Sequence, residues 1–129
     1  MGKVIAIVGT RFTHLHSAKW EKRIFEFIDS LDPDTEIISN GAPGTDITAI
    51  GYARAHGIKV RILFPNTDYT HDPHFFLHTN ETVVGMADEL HAFWDGQSPG
   101  THHAIIYARE TGKPVHIHNV LDEEWEAQV

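Results

Sequence analysis

Short apolar runs alternate with longer segments of helical periodicity along this chain. Lys3–Val8 is almost continuously apolar and β-branched, which is typical of a strand buried on both faces. In the segment after it, apolar side chains recur on one face of a helix that Ser17 can cap and Pro33 ends. The same alternation of strand and helix continues to the end of the chain.

The remaining elements are predicted from the same two periodicities. Strands are expected at Glu36–Ser39, Lys59–Phe64, Glu89–Trp94 and Val115–His118, and helices at Thr45–His56, Thr79–Met86 and Thr101–Thr111. Strands separated by helices imply right-handed crossovers and a parallel sheet with helices on both faces. We therefore predict a single-domain α/β fold, a three-layer sandwich with a mostly parallel five-stranded sheet, over residues 1–118.

Three segments have a less regular pattern. Val115–His118 alternates in a way that suits an edge strand, with His116 and His118 expected to face solvent. Asp68–Phe76 is interrupted by proline and is either a lid or a surface loop. Residues 119–129 form an acidic tail that is expected to dock on the domain or on a partner subunit. The second alternative predicts a homo-oligomer.

Three of the predicted strands end in turns that contain glycine. These turns are Gly9–Arg11, Gly41–Asp46 and Asp95–Thr101. In an open parallel sheet, the carboxyl ends of the strands gather at one crevice, where ligands bind. Glycine allows close approach of the backbone to a ligand, and a helix that begins just after it directs free N–H groups at an anion. The turns therefore indicate a nucleotide-like ligand.

The composition of the chain limits the classes of partner that this site is expected to bind. The formal charge is −8 with neutral histidines, and the ten lysines and arginines are scattered, which argues against binding nucleic acid. No apolar run approaches the roughly 20 residues that cross a bilayer, and the N-terminus does not resemble a signal peptide. No membrane association is expected, and a cytoplasmic location is the default expectation.

The turn sequences resemble a known group of proteins. Val8–Arg11, Gly41–Asp46, Asn80 and Ala92–Thr101 are similar to motifs of the SLOG superfamily, which joins the DprA/Smf proteins to the LOG-like proteins. Within it, the chain most resembles the small stand-alone YspA/YpsA-like branch, from about Val4 to Ile117. The resemblance implies a Rossmann-like domain that binds a nucleotide or nucleotide-derived ligand at the three turns.

The resemblance also implies which residues line the ligand. They are Gly9, Thr10 and Arg11 beneath it; Gly41, Ala42, Gly44 and Asp46 in a second wall; Asp95, Gly96, Ser98, Gly100 and Thr101 in a phosphate-facing third wall; and Asn80, which reaches in from the short helix.

One departure from the family pattern affects the chemistry. LOG-type phosphoribohydrolases carry a glutamate three residues after Gly-Thr, and nucleoside deoxyribosyltransferases have a comparable carboxylate. Here Thr101 is followed by His102, His103 and Ala104. The leading hypothesis is therefore a protein that senses or sequesters a nucleotide-derived molecule. The alternative is a hydrolase or transferase that uses Asp95, Asp46 or His102.

Several of these side chains have a second interpretation. Asp46 either caps a helix or holds a ribose hydroxyl, and Asp95 either serves the crevice or pins the following turn. Arg11 either grips a phosphate or pairs with one of those aspartates. Thr101 is expected as a helix N-cap more than as a ligand contact.

Aromatic and histidine residues near the turns also have candidate roles. Phe93 is expected in the core, and Trp94 is a candidate for stacking on a base. His102 can donate to a ligand oxygen or act as an acid or base. The eleven histidines show no predictable convergence of three or four ligands, so neither a metal nor a cofactor is expected.

Overall fold

The structure is a computed structural model that describes residues 2–10, 18–63 and 75–119. Its elements alternate along the chain as β1 (Val4–Gly9), α1 (Ala18–Asp29), β2 (Glu36–Ser39), α2 (Thr45–Ala55), β3 (Lys59–Ile62), α3 (Phe75–Gly85), β4 (Glu89–Trp94), α4 (Pro99–Glu110) and β5 (Val115–Asn119). None of the helices in these ranges is long and apolar enough to cross a membrane.

The five strands form one sheet in the order β3-β2-β1-β4-β5. Every neighbouring pair is parallel, so the predicted sheet is confirmed and is parallel throughout. In the register, Gly9 lies beside Phe93 and His91 lies beside His116. β5 is an edge strand, as its alternation predicted.

The core lies on both faces of the sheet, and β1 contributes to each. Ile5 and Ile7 pack with apolar residues of α1 and α2. Ala6 and Val8 face the other way, among apolar residues of α3 and α4. Because side chains alternate along a strand, a run that is apolar at every position suits this two-sided burial. The predicted three-layer sandwich is confirmed.

Several predicted boundaries are wrong by one to four residues. α1 ends at Asp29 rather than near Pro33, and α3 begins at Phe75 rather than Thr79. α4 begins at Pro99, because proline has no N–H to lose and its φ suits the first helical position. The N-cap of α4 is therefore Ser98, and the prediction of Thr101 as the N-cap is wrong.

The prediction that His118 faces solvent is also wrong. Its ring stacks on Phe93 with 4.4 Å between centroids and lies 5.1 Å from the ring of Phe27 in α1. An edge strand still has two faces, and the face of β5 that carries His118 lies against α1. His116, on the same face nearer the start of the strand, is exposed as expected.

Some predictions fall outside the described residues. They concern Ser17 as a helix cap, most of the irregular segment Asp68–Phe76, the tail beyond Asn119, and Arg11. The two roles of Arg11 therefore stay predictions.

Candidate functional site

The strand order places a crevice between β1 and β4. From β1 the chain proceeds outward to β2 and β3, whereas β4 lies on the other side of β1 and leads outward to β5. The crossovers on the two sides therefore diverge at this point, which is where open α/β sheets bind ligands. All three predicted turns follow strands of this region, namely β1, β2 and β4.

Thr10, directly after β1, ties the three turns together. Its backbone N–H donates to Phe93 O at 2.9 Å, and its carbonyl accepts from Thr45 N and Thr45 Oγ1 at 3.2 and 3.1 Å. Its hydroxyl oxygen accepts from Asp95 N at 3.1 Å and lies 3.4 Å from Ser98 Oγ. Thr10 is only 1% exposed, so these hydrogen bonds connect the three turns in the interior, beneath the crevice.

Gly9 has a packing role that the sequence did not reveal. A Cβ at this position would lie 2.5–2.6 Å from the side-chain atoms of Thr45, closer than non-bonded atoms can approach. The absence of a side chain thus lets the first turn of α2 pack directly on the end of β1. This close approach is between two protein segments.

The second turn bends through glycines at positive φ, Gly41 at 72° and Gly44 at 90°. The turn is stabilised by side chains at the end of β2: Gly41 N donates to Ser39 Oγ at 3.2 Å, and Ala42 N donates to Asn40 Oδ1 at 3.0 Å. Only glycine adopts such φ values without strain, so both positions are fixed by the shape of the turn.

Asp46 lies in the interior, below this turn. It is 1% exposed and its Oδ2 accepts a hydrogen bond from Ser39 Oγ at 2.7 Å. The N-cap of α2 is Gly44, so the interpretation of Asp46 as the cap is wrong. A carboxylate in the first turn of α2 interacts favourably with the positive end of the helix dipole. The predicted role of Asp46 toward a ribose hydroxyl stays a prediction.

Asp95 pins the third turn, one of its two predicted roles. Its Oδ1 accepts from Gln97 N at 2.9 Å and from Ser98 N at 2.8 Å. Burial alone would raise the pKa of Asp95, but these N–H donors stabilise the carboxylate and bring the pKa below its ordinary value. Gly96, at φ 83°, supplies the left-handed bend between them.

The N-terminus of α4 directs unused N–H groups at the crevice. Ser98 N is taken by Asp95, Pro99 has no N–H, and His102 N donates to Ser98 O at 3.1 Å. Within the described part of the chain, neither Gly100 N nor Thr101 N donates to a protein acceptor. Together with the helix dipole, these two groups form an anion-binding terminus.

The N-terminus of α2 is different. Thr45 N donates to Thr10 O, and Ile47 N donates to Ala42 O at 3.2 Å. Protein carbonyls therefore already occupy donors that a ligand would need. Of the two helices that begin at the predicted turns, α4 is the one with donors left for an anion.

Two buried asparagines connect the second and third turns. Asn40 Nδ2 donates to Asn80 Oδ1 at 2.5 Å, and Asn80 Nδ2 donates to Gly100 O at 3.4 Å. Asn80 is where the resemblance places it, beside the third turn. Asn40 was missed by the sequence analysis, although its position between the end of β2 and Gly41 is a signal of a turn-forming side chain.

The aromatic residues after β4 are divided between core and site. Phe93 is fully buried, as predicted. Trp94 is half-buried, its Nε1 donates to Ser98 O at 3.0 Å, and its ring stacks on His102 with 5.3 Å between centroids. The stacked, nearly parallel rings of Trp94 and His102 thus lie beside the first turn of α4.

No carboxylate occupies the position of the family's catalytic glutamate. Ala104 is fully buried among the apolar residues between α4 and the sheet. Among the described residues, Glu81 of α3 contacts α4, and its Oε2 lies 2.7 Å from His103 Nε2. The sequence analysis did not single out this pair, because the pairing depends on how α3 packs against α4.

A second cluster lies at the opposite end of β4, and it contains residues that sequence reasoning missed. His91 Nε2 lies 2.9 Å from Glu89 Oε1, and His91 Nδ1 lies 3.1 Å from His118 Nε2. Burial lowers the pKa of His91 and, together with the neighbouring histidines, lowers the pKa of His118 to about 4. The hydrogen bond from His91 lowers the pKa of Glu89.

Comparison with known proteins gives matches among solved structures. No protein-family model matches the sequence, and a search of curated proteins finds no match. DNA processing protein A (DprA) from Streptococcus pneumoniae superposes with a TM-score of 0.74 at 19% identity, over 90% of this chain and 50% of that one. The chain thus spans about half the length of that protein.

Two further structures agree. DprA from Helicobacter pylori gives a TM-score of 0.67 at 19% identity, over 98% of this chain and 73% of its own. The protein TM1055 gives 0.66 at 18% identity, over 88% and 72%. These identities establish the fold alone. This chain therefore has the Rossmann-like fold of the two DprA structures and of TM1055, as its turn motifs indicated.

Proposed function

We propose that this protein binds a nucleotide-derived small molecule, with an anionic group of the ligand at the N-terminus of α4. The observation that carries the proposal is the pair of N–H groups at Gly100 and Thr101, which have no protein acceptor within the described residues. They lie after β4, beside the point where the crossovers diverge.

The space above Gly100 supports this assignment. Among the described residues, a Cβ added there would meet only Asn80 Nδ2, at 3.9 Å, and the backbone is not left-handed. Neither packing nor conformation therefore requires glycine at this position, and alanine would favour the helix. A ligand that approaches the backbone closely is a physical reason for glycine here.

Binding is favoured over glycosidic hydrolysis. The family's catalytic carboxylate is replaced by Ala104, which points into the core, and Asp95 uses one oxygen to pin its own turn. Asp46 is buried against Ser39. Both candidate aspartates therefore have a structural task, which leaves His102 as the remaining candidate for acid–base chemistry at the site.

The fold neighbours are consistent with a nucleotide-related ligand. One of the matched structures is described by its single-stranded DNA binding mode. A small molecule is preferred for this chain, because its net charge of −8 opposes contact with a long phosphate backbone.

Thermal shift and native mass spectrometry against nucleotides, cyclic nucleotides and ADP-ribose derivatives test the proposal. A ligand at 100 times its Kd should stabilise the wild type by about 2.7 kcal/mol, with intact ligand retained in the mass spectrum. Gly100→Asp should abolish this shift, because it places a negative charge where the anion binds. The variant should stay folded, since an acidic residue suits the first turn of a helix.

Gly51→Asp is the matched control. Gly51 lies on the exposed side of α2 with no atom within 4 Å of an added Cβ, so it adds the same charge away from the site. Normal binding by Gly100→Asp would contradict the proposal. Release of free base or sugar phosphate by the wild type would establish the hydrolase alternative instead.

A further inference from the structure

The register between β4 and the edge strand β5 brings metal-ligand side chains together, far from the crevice. His91 and His116 are direct partners in this parallel pair, and Glu89 precedes His91 by two residues on the same face. Along β4, His91 and Glu89 lie three and five residues before Trp94, which places the cluster about 10–16 Å from the crevice at ~3.3 Å per residue.

We propose that Glu89, His91 and His116 form a binding site for a divalent transition-metal ion of the zinc type. One ligand atom from each of the three lies within 4.8 Å of the others. Two imidazole nitrogens and a carboxylate oxygen are a donor set that zinc accepts, with a fourth position left for water.

The distances between the donor atoms match this coordination. With metal–ligand bonds of about 2.0–2.1 Å, ligand atoms in a tetrahedral site lie about 3.4 Å apart. The observed separations involve different oxygens of the Glu89 carboxylate and lie on either side of this value: 2.9 Å between Glu89 Oε1 and His91 Nε2, and 3.9 Å between Glu89 Oε2 and His116 Nε2. The two imidazole rings stack nearly parallel, at 4.6 Å and 12°, so the exposed ring of His116 has to rotate before both rings direct a nitrogen at one ion.

The surroundings orient one of the ligands. His91 is buried beneath Phe27, with 4.5 Å between ring centroids, and its Nδ1 lies 3.1 Å from His118 Nε2. A hydrogen bond at the second ring nitrogen fixes the orientation and tautomer of a metal-binding histidine. His118 is thus a positioning residue for His91.

Lys3 competes with a metal ion for the carboxylate of Glu89. Its Nζ lies 3.3 Å from Glu89 Oε2, and its side chain is 58% exposed. A lysine this exposed can leave the carboxylate at little cost, because an ion pair between exposed side chains stabilises a protein only weakly. His116, also exposed, leaves the fourth coordination position facing solvent. An ion bound there would link the edge strand β5 to its neighbour β4.

Titration of the untagged, chelator-treated protein with Co²⁺ tests the site. We expect one equivalent to bind with visible d–d absorption of a four- or five-coordinate ion, to be displaced by Zn²⁺, and to raise the melting temperature. His116→Gln and Glu89→Gln should each weaken Co²⁺ binding by more than the ~10–100-fold that is typical of losing an outer-shell partner. His118→Gln should weaken it within that range.

His56→Gln, at an exposed histidine of the segment after α2, should bind as the wild type does. This control matters because the chain has eleven histidines. Binding of Co²⁺ that persists unchanged in both His116→Gln and Glu89→Gln would place the ion elsewhere and overturn the proposal. Failure of the wild type to bind any Co²⁺ or Zn²⁺ would overturn it as well. Nucleotide binding at α4 is independent of either result.

Discussion

At the scale of single residues, two glycines of the predicted site have opposite reasons for lacking a side chain. At Gly9 an added Cβ would collide with Thr45, so the fold itself requires glycine. At Gly100 an added Cβ has room, so the protein alone does not require it. Both glycines lie in glycine-containing turns that follow strands, and only Gly100 supports the presence of a ligand.

Asp95 provides a test of how the third turn is held. Its pKa is lower in the folded state, because its carboxylate accepts two backbone N–H bonds. The folded protein therefore prefers the charged form. The resulting stabilisation is complete above the unfolded pKa of about 3.9, and it is lost as the pH falls through the lower folded pKa.

We expect Asp95→Asn to reduce the free energy of unfolding by about 1 kcal/mol at pH 6. The difference from wild type should shrink as the pH is lowered below about 4. Urea unfolding at a series of pH values measures both effects, with Asp34→Asn at an exposed position as the baseline. A difference that stays constant down to pH 2 would show that the charge of Asp95 does not stabilise the turn.

At the scale of whole elements, the ends of the helices determine what each can do. The N-terminus of α2 is closed by carbonyls of Thr10 and Ala42, whereas that of α4 keeps two donors. The C-terminal end of α3 is closed by a cation: Lys113 Nζ donates to Ala87 O at 2.6 Å and lies 3.5 Å from Gly85 O. The charge is of the sign that favours a helix C-terminus.

Lys113→Met should therefore lower the free energy of unfolding by about 1 kcal/mol. Lys22→Met removes a lysine from an exposed i, i+4 pair with Glu26 at 3.7 Å, and it should change stability by less than about 0.5 kcal/mol. Denaturant midpoints at equal pH and ionic strength compare the two. Equal losses would show that Lys113 contributes only general surface charge.

At the scale of the whole molecule, the net charge favours binding of a small molecule over binding of nucleic acid. A charge of −8 gives a long-range field that repels polyphosphate, while two N–H groups can still hold one local anion. The single-stranded DNA binding named for one fold neighbour is thus not expected here.

Fluorescence anisotropy with a labelled single-stranded oligonucleotide checks this at low salt. We expect no saturable binding at micromolar protein concentrations. Binding that weakens linearly in log–log form as salt rises would instead reveal counterion release from phosphate contacts and overturn the expectation. The same titration with the Gly100→Asp variant would show whether any such binding uses the crevice.

The sequence by itself determined the order of the elements, the parallel sheet with two covered faces, and the strand ends where glycine turns gather. These features follow from local periodicity and turn chemistry, which act between residues close along the chain. The starts of two helices did not follow from periodicity, because α4 begins at Pro99 and α3 begins within the predicted irregular segment, at Phe75.

Only the tertiary structure decided which of the turn residues contact other parts of the protein. Asp46 is buried. Gly9 packs on Thr45 and Asn40 donates to Asn80, although the two residues of each of these pairs are far apart in sequence. The same holds for His91 and His116, which meet because of strand register. Such contacts depend on how elements pack, and the residue types do not encode that packing within any one segment.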